Sequence, residues 1–249
     1  MEKYSLYDAS GNSFVIIQKN QKEDFSKLAI KLCQKNKTDG LIVVILANQK
    51  EQDLYGIDFT WLFYNLDGST ASMCGNGTRA VALYYNQKIK NKTDINFMSD
   101  VGIIKTKVDK NVVQTTMPPS KELKKPFKID DKIWWMVDTG VPHMVTIVEN
   151  INMFDKNLSK RLRDRYNTNV NFVQIKNKTT IYVRTFERGV EDETKACGTG
   201  MVASFLWLHK QNLVEDKIVV YPKSGEEITI LLKNGIIHFQ GAVTFVKNI

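Results

Sequence analysis

The sequence is poor in the residues that build disulfide frameworks and zinc sites. It has 3 cysteines and 3 histidines in 249 residues, and no C-x-x-C spacing occurs. An odd, sparse set of cysteines argues against a secreted disulfide scaffold. The dispersed cysteines and histidines also lack the ligand spacing of a zinc site. We therefore expect a reduced, cytoplasmic protein that binds no metal.

Long apolar runs and blocks of like charge are also missing. The longest apolar stretches, such as residues 41–47, are far shorter than the ~20 residues that span a bilayer. Residues 1–14 lack the apolar core of a signal peptide. The net charge of +8 comes from lysines scattered along the chain. Without a motif that reads nucleic acid, such lysines indicate a solvated surface. We expect neither a nucleic acid nor a membrane as partner.

The apolar pattern alternates short strands with a few helices. Asn234-Gly235 predicts a two-residue hairpin turn, and the Pro118-Pro119 pair predicts a linker over residues 118–125. Helices are predicted over residues 25–34, 78–88, 154–166 and 199–211.

An internal repeat divides the chain. Residues 73–80 and 196–203 both read x-C-G-x-G-x-x-A at the start of a predicted helix. A glycine, Gly102 or Gly225, follows each cysteine by the same number of residues. The sequence therefore predicts a duplicated α+β unit, and a duplicated pair of domains creates a cleft that favours a ligand site.

Each repeat places one cysteine directly before a helix. Free N–H groups and the dipole at a helix N-terminus lower a thiol pKa from ~8.5 toward neutrality, and they also bind carboxylates. Cys74 and Cys197, on opposite faces of one carbon, could remove one proton and deliver another. That exchange inverts a stereocentre, and no cofactor fingerprint accompanies the motif. Cys33, on the apolar face of the first predicted helix, is interpreted as a core residue.

With these residues the sequence resembles diaminopimelate epimerase, a family of cofactor-independent two-base enzymes of lysine and peptidoglycan-precursor synthesis. The resemblance covers the whole chain and is most specific in residues 65–69, 73–79, 187–194 and 196–200. It implies two pseudo-symmetric domains, each with a curved, mostly antiparallel sheet around a central helix, and an active site in the interdomain cleft. The expected domains are residues 1–117 with 241–249, and residues 118–240.

The resemblance also implies a role for each site residue. Cys74 and Cys197 would be the acid–base pair, and His143 and Glu187 would tune the thiols. The substrate would be the small molecule diaminopimelate, bound without a cofactor, and a homodimer is compatible with the sequence. The implied substrate-binding residues are Asn12, Asn65, Gly75, Asn76, Asn171, Glu187, Arg188, Gly198 and Thr199.

Two positions depart from the family pattern. Val141 stands where the family often has asparagine before Pro-His, and Gly40 stands where some members have glutamine. Because the Val141 side chain forms no hydrogen bonds, one contact to the distal part of the substrate is missing or rerouted.

Two other functions stay open at the level of sequence. A proline or hydroxyproline racemase-like enzyme also uses paired cysteine turns, although Asn76 and the Glu187-Arg188 pair favour diaminopimelate. In a non-catalytic, redox-sensing relative, Cys74 and Cys197 would instead form a disulfide. Titration of the thiols in the reduced protein, with and without substrate, separates these classes.

Overall fold

The computed structural model describes residues 3–249. The chain divides into two compact units, which we call the first unit (Met1–Thr116 with Gln240–Ile249) and the second unit (Met117–Phe239). Among the described residues, no helix is both long and apolar enough to cross a membrane.

The first unit is built on a mixed sheet. Its strands are β1 (Ser5–Ala9), β2 (Asn12–Lys19), β3 (Gly40–Leu46), β4 (Phe59–Asn65), β5 (Asp94–Ser99), β6 (Gly102–Asp109), β7 (Val112–Thr116) and β17 (Thr244–Asn248). The strand β1 pairs antiparallel with both β2 and β17. The pairs β2–β3 and β4–β5 are parallel, while β3–β4, β5–β6 and β6–β7 are antiparallel.

The second unit repeats this plan. Its strands are β8 (Lys121–Ile129), β9 (Lys132–Asp138), β10 (Pro142–Ile147), β11 (Asn169–Asn177), β12 (Thr180–Glu187), β13 (Asp192–Glu193), β14 (Lys217–Tyr221) and β15 (Ile228–Lys233). The pairs β9–β10, β11–β12 and β14–β15 are antiparallel, and β10–β11 and β12–β14 are parallel. From β9 to β15 the order of parallel and antiparallel pairs is therefore that of β1 to β6.

A hairpin turn follows β15, as the sequence predicts. Asn234 and Gly235 have φ values of 52° and 74°, and two successive residues with positive φ are typical of a type I′ turn. The turn leads into β16 (Ile236–Ala242).

Apart from α2, the helices lie at matching places in the two repeats. They are α1 (Ser26–Asn36), α2 (Gln49–Tyr55), α3 (Gly75–Tyr84), α4 (Lys156–Tyr166) and α5 (Gly198–Lys210). The helix α3 continues into a π-helical turn at Tyr85–Ile89. Both α1 and α4 connect a parallel strand pair, and both α3 and α5 connect the next parallel pair.

The helices α3 and α5 form the centres of their units. Every residue of α3 is buried, and α5 is buried except at Leu206, His209 and Lys210. The helix α3 packs against β1, β2, β3, β6 and β7, and α5 packs against β9 to β12. Because a helix that is buried all round must be enclosed, the sheet of each unit wraps around its own helix. The predicted duplicated α+β fold is confirmed.

The predicted linker over residues 118–125 is wrong, because β8 begins at Lys121 and pairs with β9. The register of this pair is irregular between Lys124 and Phe127, on either side of Pro126. Proline and exposed lysine are tolerated at bulges and exposed strands. The composition therefore resembles that of a linker although the backbone is extended and paired.

Gly40 lies where β3 and β4 approach each other closely. A Cβ atom at this position would come within 2.8 Å of the Tyr64 carbonyl oxygen and 3.1 Å of the Phe63 ring. Neither group yields easily, because one is backbone and the other is a buried aromatic ring. Close packing within the sheet therefore accounts for the glycine.

We predict that Gly40→Ala lowers the free energy of unfolding by about 1–3 kcal/mol, the usual cost of overpacking a core. Urea unfolding monitored by circular dichroism measures it. Gly56→Ala is the control, because a Cβ at Gly56 would meet no other atom within 4 Å. Its expected loss of stability, about 1–2 kcal/mol, comes only from placing alanine at a φ of +64°. A Gly40→Ala protein as stable as wild type contradicts the packing argument.

Candidate active site

Cys74 is the N-cap residue of α3 and has an extended backbone. Its Sγ accepts a hydrogen bond from the Gly77 N–H at 3.3 Å. A Cβ at Gly77 would lie 3.4 Å from this sulfur and 3.3 Å from the Trp61 ring. The second glycine of the C-G-x-G motif thus lets the backbone of the first helical turn come up against the thiol.

Buried polar side chains fix the surroundings of Cys74. The sulfur lies 3.9 Å from Oδ1 of Asn12, at the start of β2. The completely buried Arg79 donates from Nη2 to Asn76 Oδ1 at 3.1 Å and to Ser10 Oγ at 2.7 Å. Arg79 therefore ties the first turn of α3 to the β1–β2 turn, which leads into Asn12.

Asn65 lies at the end of β4, in the turn that precedes the Cys74 motif. Its Nδ2 donates to Ser69 Oγ at 3.0 Å, and its carbonyl oxygen accepts from the Gly68 N–H at 3.0 Å. The predicted site residues of the first unit thus lie on two strand–turn junctions and on the start of α3.

Cys197 is the N-cap residue of α5 and is buried. Its Sγ lies 3.5 Å from the Thr199 hydroxyl. That hydroxyl is 2.8 Å from His143 Nε2, and the Thr199 carbonyl oxygen accepts from Thr139 Oγ1 at 3.1 Å. The first turn of α5 is therefore bonded on two sides to the polypeptide around β10.

His143 lies on β10 and is completely buried. Burial lowers its pKa to about 3, and the positive charge of Arg188 contributes to the decrease. The imidazole is therefore neutral at neutral pH. Its Nδ1 is 3.0 Å from Nδ2 of Asn171.

Asn171 lies on β11, beside His143, and its side chain is completely buried. Its Nδ2 also donates to the Met144 carbonyl oxygen at 3.0 Å, and its Oδ1 accepts from Thr185 Oγ1 at 2.9 Å. A Cβ at Gly200 would lie only 2.3 Å from this Oδ1. The amide is thus packed against the first turn of α5, behind His143, with both ends bonded to protein.

Glu187 and Arg188 follow one another at the end of β12, and both are half-buried. The Arg188 backbone N–H donates to Asn169 Oδ1 at 2.8 Å. Its guanidinium donates from Nη1 to the carbonyl oxygen of Asn167 at 3.1 Å, which is a backbone group and not a carboxylate.

Sequence reasoning missed Asn169, which connects two parts of the site. Its Nδ2 donates to the Pro142 carbonyl oxygen, next to His143, while its Oδ1 holds the Arg188 backbone. Residues two apart on a strand share a face. The polar pair Asn169 and Asn171 within an apolar strand was the signal that could have found it.

Each unit places a thiol beside the N-terminus of a buried helix. The N–H groups of the first turn, which include those of Gly75 and Asn76 in α3 and of Gly198 and Thr199 in α5, lie outside the intrahelical bonding pattern. Such groups bind carboxylates. Across residues 3–249, no cluster of histidine, cysteine and acidic side chains has the composition of a metal site.

Comparison with known proteins identifies the family. A family model described as diaminopimelate epimerase matches residues 4–121 and 135–246. A diaminopimelate epimerase from a Nitratiruptor species is 46% identical over 241 residues, which cover 95% of this chain and 93% of that protein.

Two solved structures share the fold. One, from Pseudomonas aeruginosa, is described as a predicted epimerase; its TM-score is 0.76 at 11% identity, with 100% of this chain and 98% of that chain covered. The other is described as a probable proline racemase from Agrobacterium radiobacter, with a TM-score of 0.75 at 14% identity and 100% and 92% coverage. The family match, by contrast, extends through both units at far higher identity, and the chain belongs to the diaminopimelate epimerase family.

Proposed function

We propose that this chain interconverts LL- and meso-2,6-diaminopimelate, with Cys74 and Cys197 as the two bases and without a cofactor. The observation that carries the proposal is the repeated placement of a thiol: in each unit one cysteine occupies the N-cap position of a buried central helix. Family membership supports the substrate, and it supports a role in lysine and peptidoglycan-precursor synthesis.

The reaction begins when one thiolate removes the proton from the α-carbon. The electron pair left on carbon spreads into the adjacent carboxylate, where fixed N–H dipoles stabilise the developing charge. Backbone N–H groups of Gly75, Asn76, Gly198 and Thr199 are proposed for this carboxylate. The other cysteine, as a thiol, then delivers its proton to the opposite face of the carbon. This step requires the two thiols to reach opposite faces, which is the arrangement predicted for the cleft.

The distal end of the substrate needs its own recognition. We assign its carboxylate to Arg188, because a guanidinium binds both oxygens of a carboxylate at once. Asn12, Asn65 and Glu187 are proposed to hold the remaining amino and carboxylate groups. The position of Asn12, 3.9 Å from the Cys74 sulfur, supports a place beside the reacting part of the substrate.

The chemistry also bears on where the protein works. All three cysteines are thiols in the structure, and thiol acid–base catalysis requires that they stay reduced, which supports action in the cytoplasm. The redox-sensing alternative predicts a Cys74–Cys197 disulfide. The homodimer stays a prediction that light scattering can test.

We predict that the purified, reduced protein epimerises diaminopimelate without added pyridoxal phosphate or metal. Proton NMR in heavy water, starting from the LL isomer, detects exchange of the α-hydrogen and formation of the meso isomer. L-Proline is the control substrate and should not exchange. Activity that disappears with a chelator, or exchange of the α-hydrogen of proline instead of that of diaminopimelate, would contradict the proposal.

Both cysteines should be required. In Cys74→Ser and in Cys197→Ser, a hydroxyl that stays protonated near neutral pH replaces a thiol, so we expect epimerisation to fall by at least about 100-fold, the scale of acid–base catalysis. Cys33→Ser is the matched control and should remain near wild type, because Cys33 lies on the buried face of α1, in the core of the first unit. Substantial epimerisation by either active-site variant refutes the two-base assignment.

Arg188→Lys should keep the fold and weaken binding of diaminopimelate. Lysine keeps the charge but loses the planar fork, and one lost charged hydrogen bond corresponds to about a 10- to 100-fold higher Kd. Isothermal titration with the meso isomer measures the change. Arg165→Lys, on α4 with its guanidinium over the Tyr166 ring, is the control. An unchanged Kd in Arg188→Lys removes Arg188 from the ligand set.

A further inference from the structure

A continuous chain of hydrogen bonds ends at the sulfur of Cys197. It runs from Asn171 to His143, from His143 to the Thr199 hydroxyl, and from there to Cys197, with heavy-atom distances of 3.0, 2.8 and 3.5 Å. Every side chain in it is buried. The orientation of the Asn171 amide, at the start of this chain, determines where the protons lie along it.

The orientation of the Asn171 amide is determined by a backbone group. The atom 3.0 Å from the Met144 carbonyl oxygen must be the amide nitrogen, because a carbonyl only accepts. The amide oxygen then faces the Thr185 hydroxyl. The same nitrogen lies 3.0 Å from His143 Nδ1. An amide nitrogen donates and does not accept, so Nδ1 carries a lone pair.

The single proton of a neutral His143 is therefore on Nε2. This proton points to the Thr199 hydroxyl oxygen, 2.8 Å away. A hydroxyl has one proton of its own. With its oxygen accepting from Nε2, the Thr199 hydroxyl has its proton available for the Cys197 sulfur. Because burial keeps the imidazole uncharged near neutral pH, the Nε2 proton stays directed at Thr199 and the Thr199 proton at Cys197.

We propose that Thr199 is a positioning residue for Cys197: its hydroxyl, aligned by His143 and Asn171, donates a hydrogen bond to the sulfur and stabilises the thiolate. Asn171 then acts on the imidazole and not on the substrate, in contrast to the role implied by the family resemblance. The collision that any Cβ at Gly200 would make with the Asn171 oxygen supports this placement. The role of this hydrogen bond in epimerisation rests on the proposed function. The existence of the hydrogen bond between Thr199 and Cys197 does not.

The corresponding position in the first unit carries a different side chain. Asn76 occupies the place of Thr199 in the repeated motif, and its Oδ1 accepts from Arg79. The Cys74 sulfur instead accepts the Gly77 N–H. A change at Thr199 should therefore act on Cys197 alone, which makes Cys74 an internal control within the same molecule.

The test is the pH dependence of alkylation by iodoacetamide, measured for each cysteine by mass spectrometry of its peptide, without substrate. Only the thiolate reacts, so the midpoint reports its stability, whereas the plateau at high pH reports access to the sulfur. Thr199→Val removes the hydroxyl and keeps the shape. We expect the Cys197 midpoint to rise by about one to two pH units, with the Cys74 midpoint unchanged. Thr199→Ser should restore the wild-type midpoint.

The charged side chains of the second unit are the same in all these proteins. They include Lys195, which precedes Cys197 by two residues, Glu187 and Arg188 at the end of β12, and Asp138 at the end of β9. A shift in Thr199→Val that Thr199→Ser reverses is therefore due to the hydroxyl. Circular dichroism of each variant verifies the fold.

A Cys197 midpoint that stays in place in Thr199→Val, or that moves together with that of Cys74, overturns the proposal. Long-range ¹⁵N–¹H NMR of wild type tests the first step separately. It should find His143 protonated on Nε2, and protonation on Nδ1 also overturns the proposal. A shifted midpoint in a protein without epimerase activity would instead leave the hydrogen bond established and the proposed function wrong.

Discussion

The rest of this structure depends on one constraint, which is the placement of a cysteine at the N-cap position of a buried helix. Serine, threonine and aspartate are the usual N-cap residues, but here a cysteine holds that position in both units. The Cys74 sulfur accepts the Gly77 N–H, whereas the Cys197 side chain makes no capping hydrogen bond. Because α3 and α5 are enclosed by their own sheets, the hydrophobic core that holds each helix also fixes the position of its sulfur. In the proposed reaction the same helix end supplies the N–H groups for a carboxylate, so reactivity and binding come from one element.

The two units keep this plan but support their thiols differently. In the first unit the Gly77 N–H bonds the Cys74 sulfur, and Arg79 fixes the surrounding backbone turn. In the second unit a hydroxyl lies beside Cys197, and a neutral histidine lies behind it. An enzyme that inverts a centre in both directions needs one base and one acid in each direction, and a duplicated fold with unequal supports provides two thiols of different character.

The sequence predicts the structure best at positions where both the proposed chemistry and the backbone geometry require a particular residue. The repeated C-G-x-G motif predicts the duplication, the central helices and both thiols, since glycine is needed wherever the backbone meets a sulfur or a buried amide. It was least informative where tertiary pairing overrides composition, as in β8, and where a short helix depends on a local capping box, as in α2 with Asn48 and Glu51. The buried role of Asn171 was also out of reach, because no single-sequence pattern shows which side of a strand faces the substrate.

The most direct test of the central claim is the place of deuterium early in the reaction. LL-Diaminopimelate is incubated with the enzyme in heavy water, and both isomers are isolated at low conversion. If two thiols act on opposite faces, solvent deuterium enters the meso product at the inverted carbon while recovered LL substrate keeps its hydrogen. If a single group removes and returns the proton, deuterium appears in recovered LL substrate as fast as in the product, a result that contradicts catalysis by two thiols.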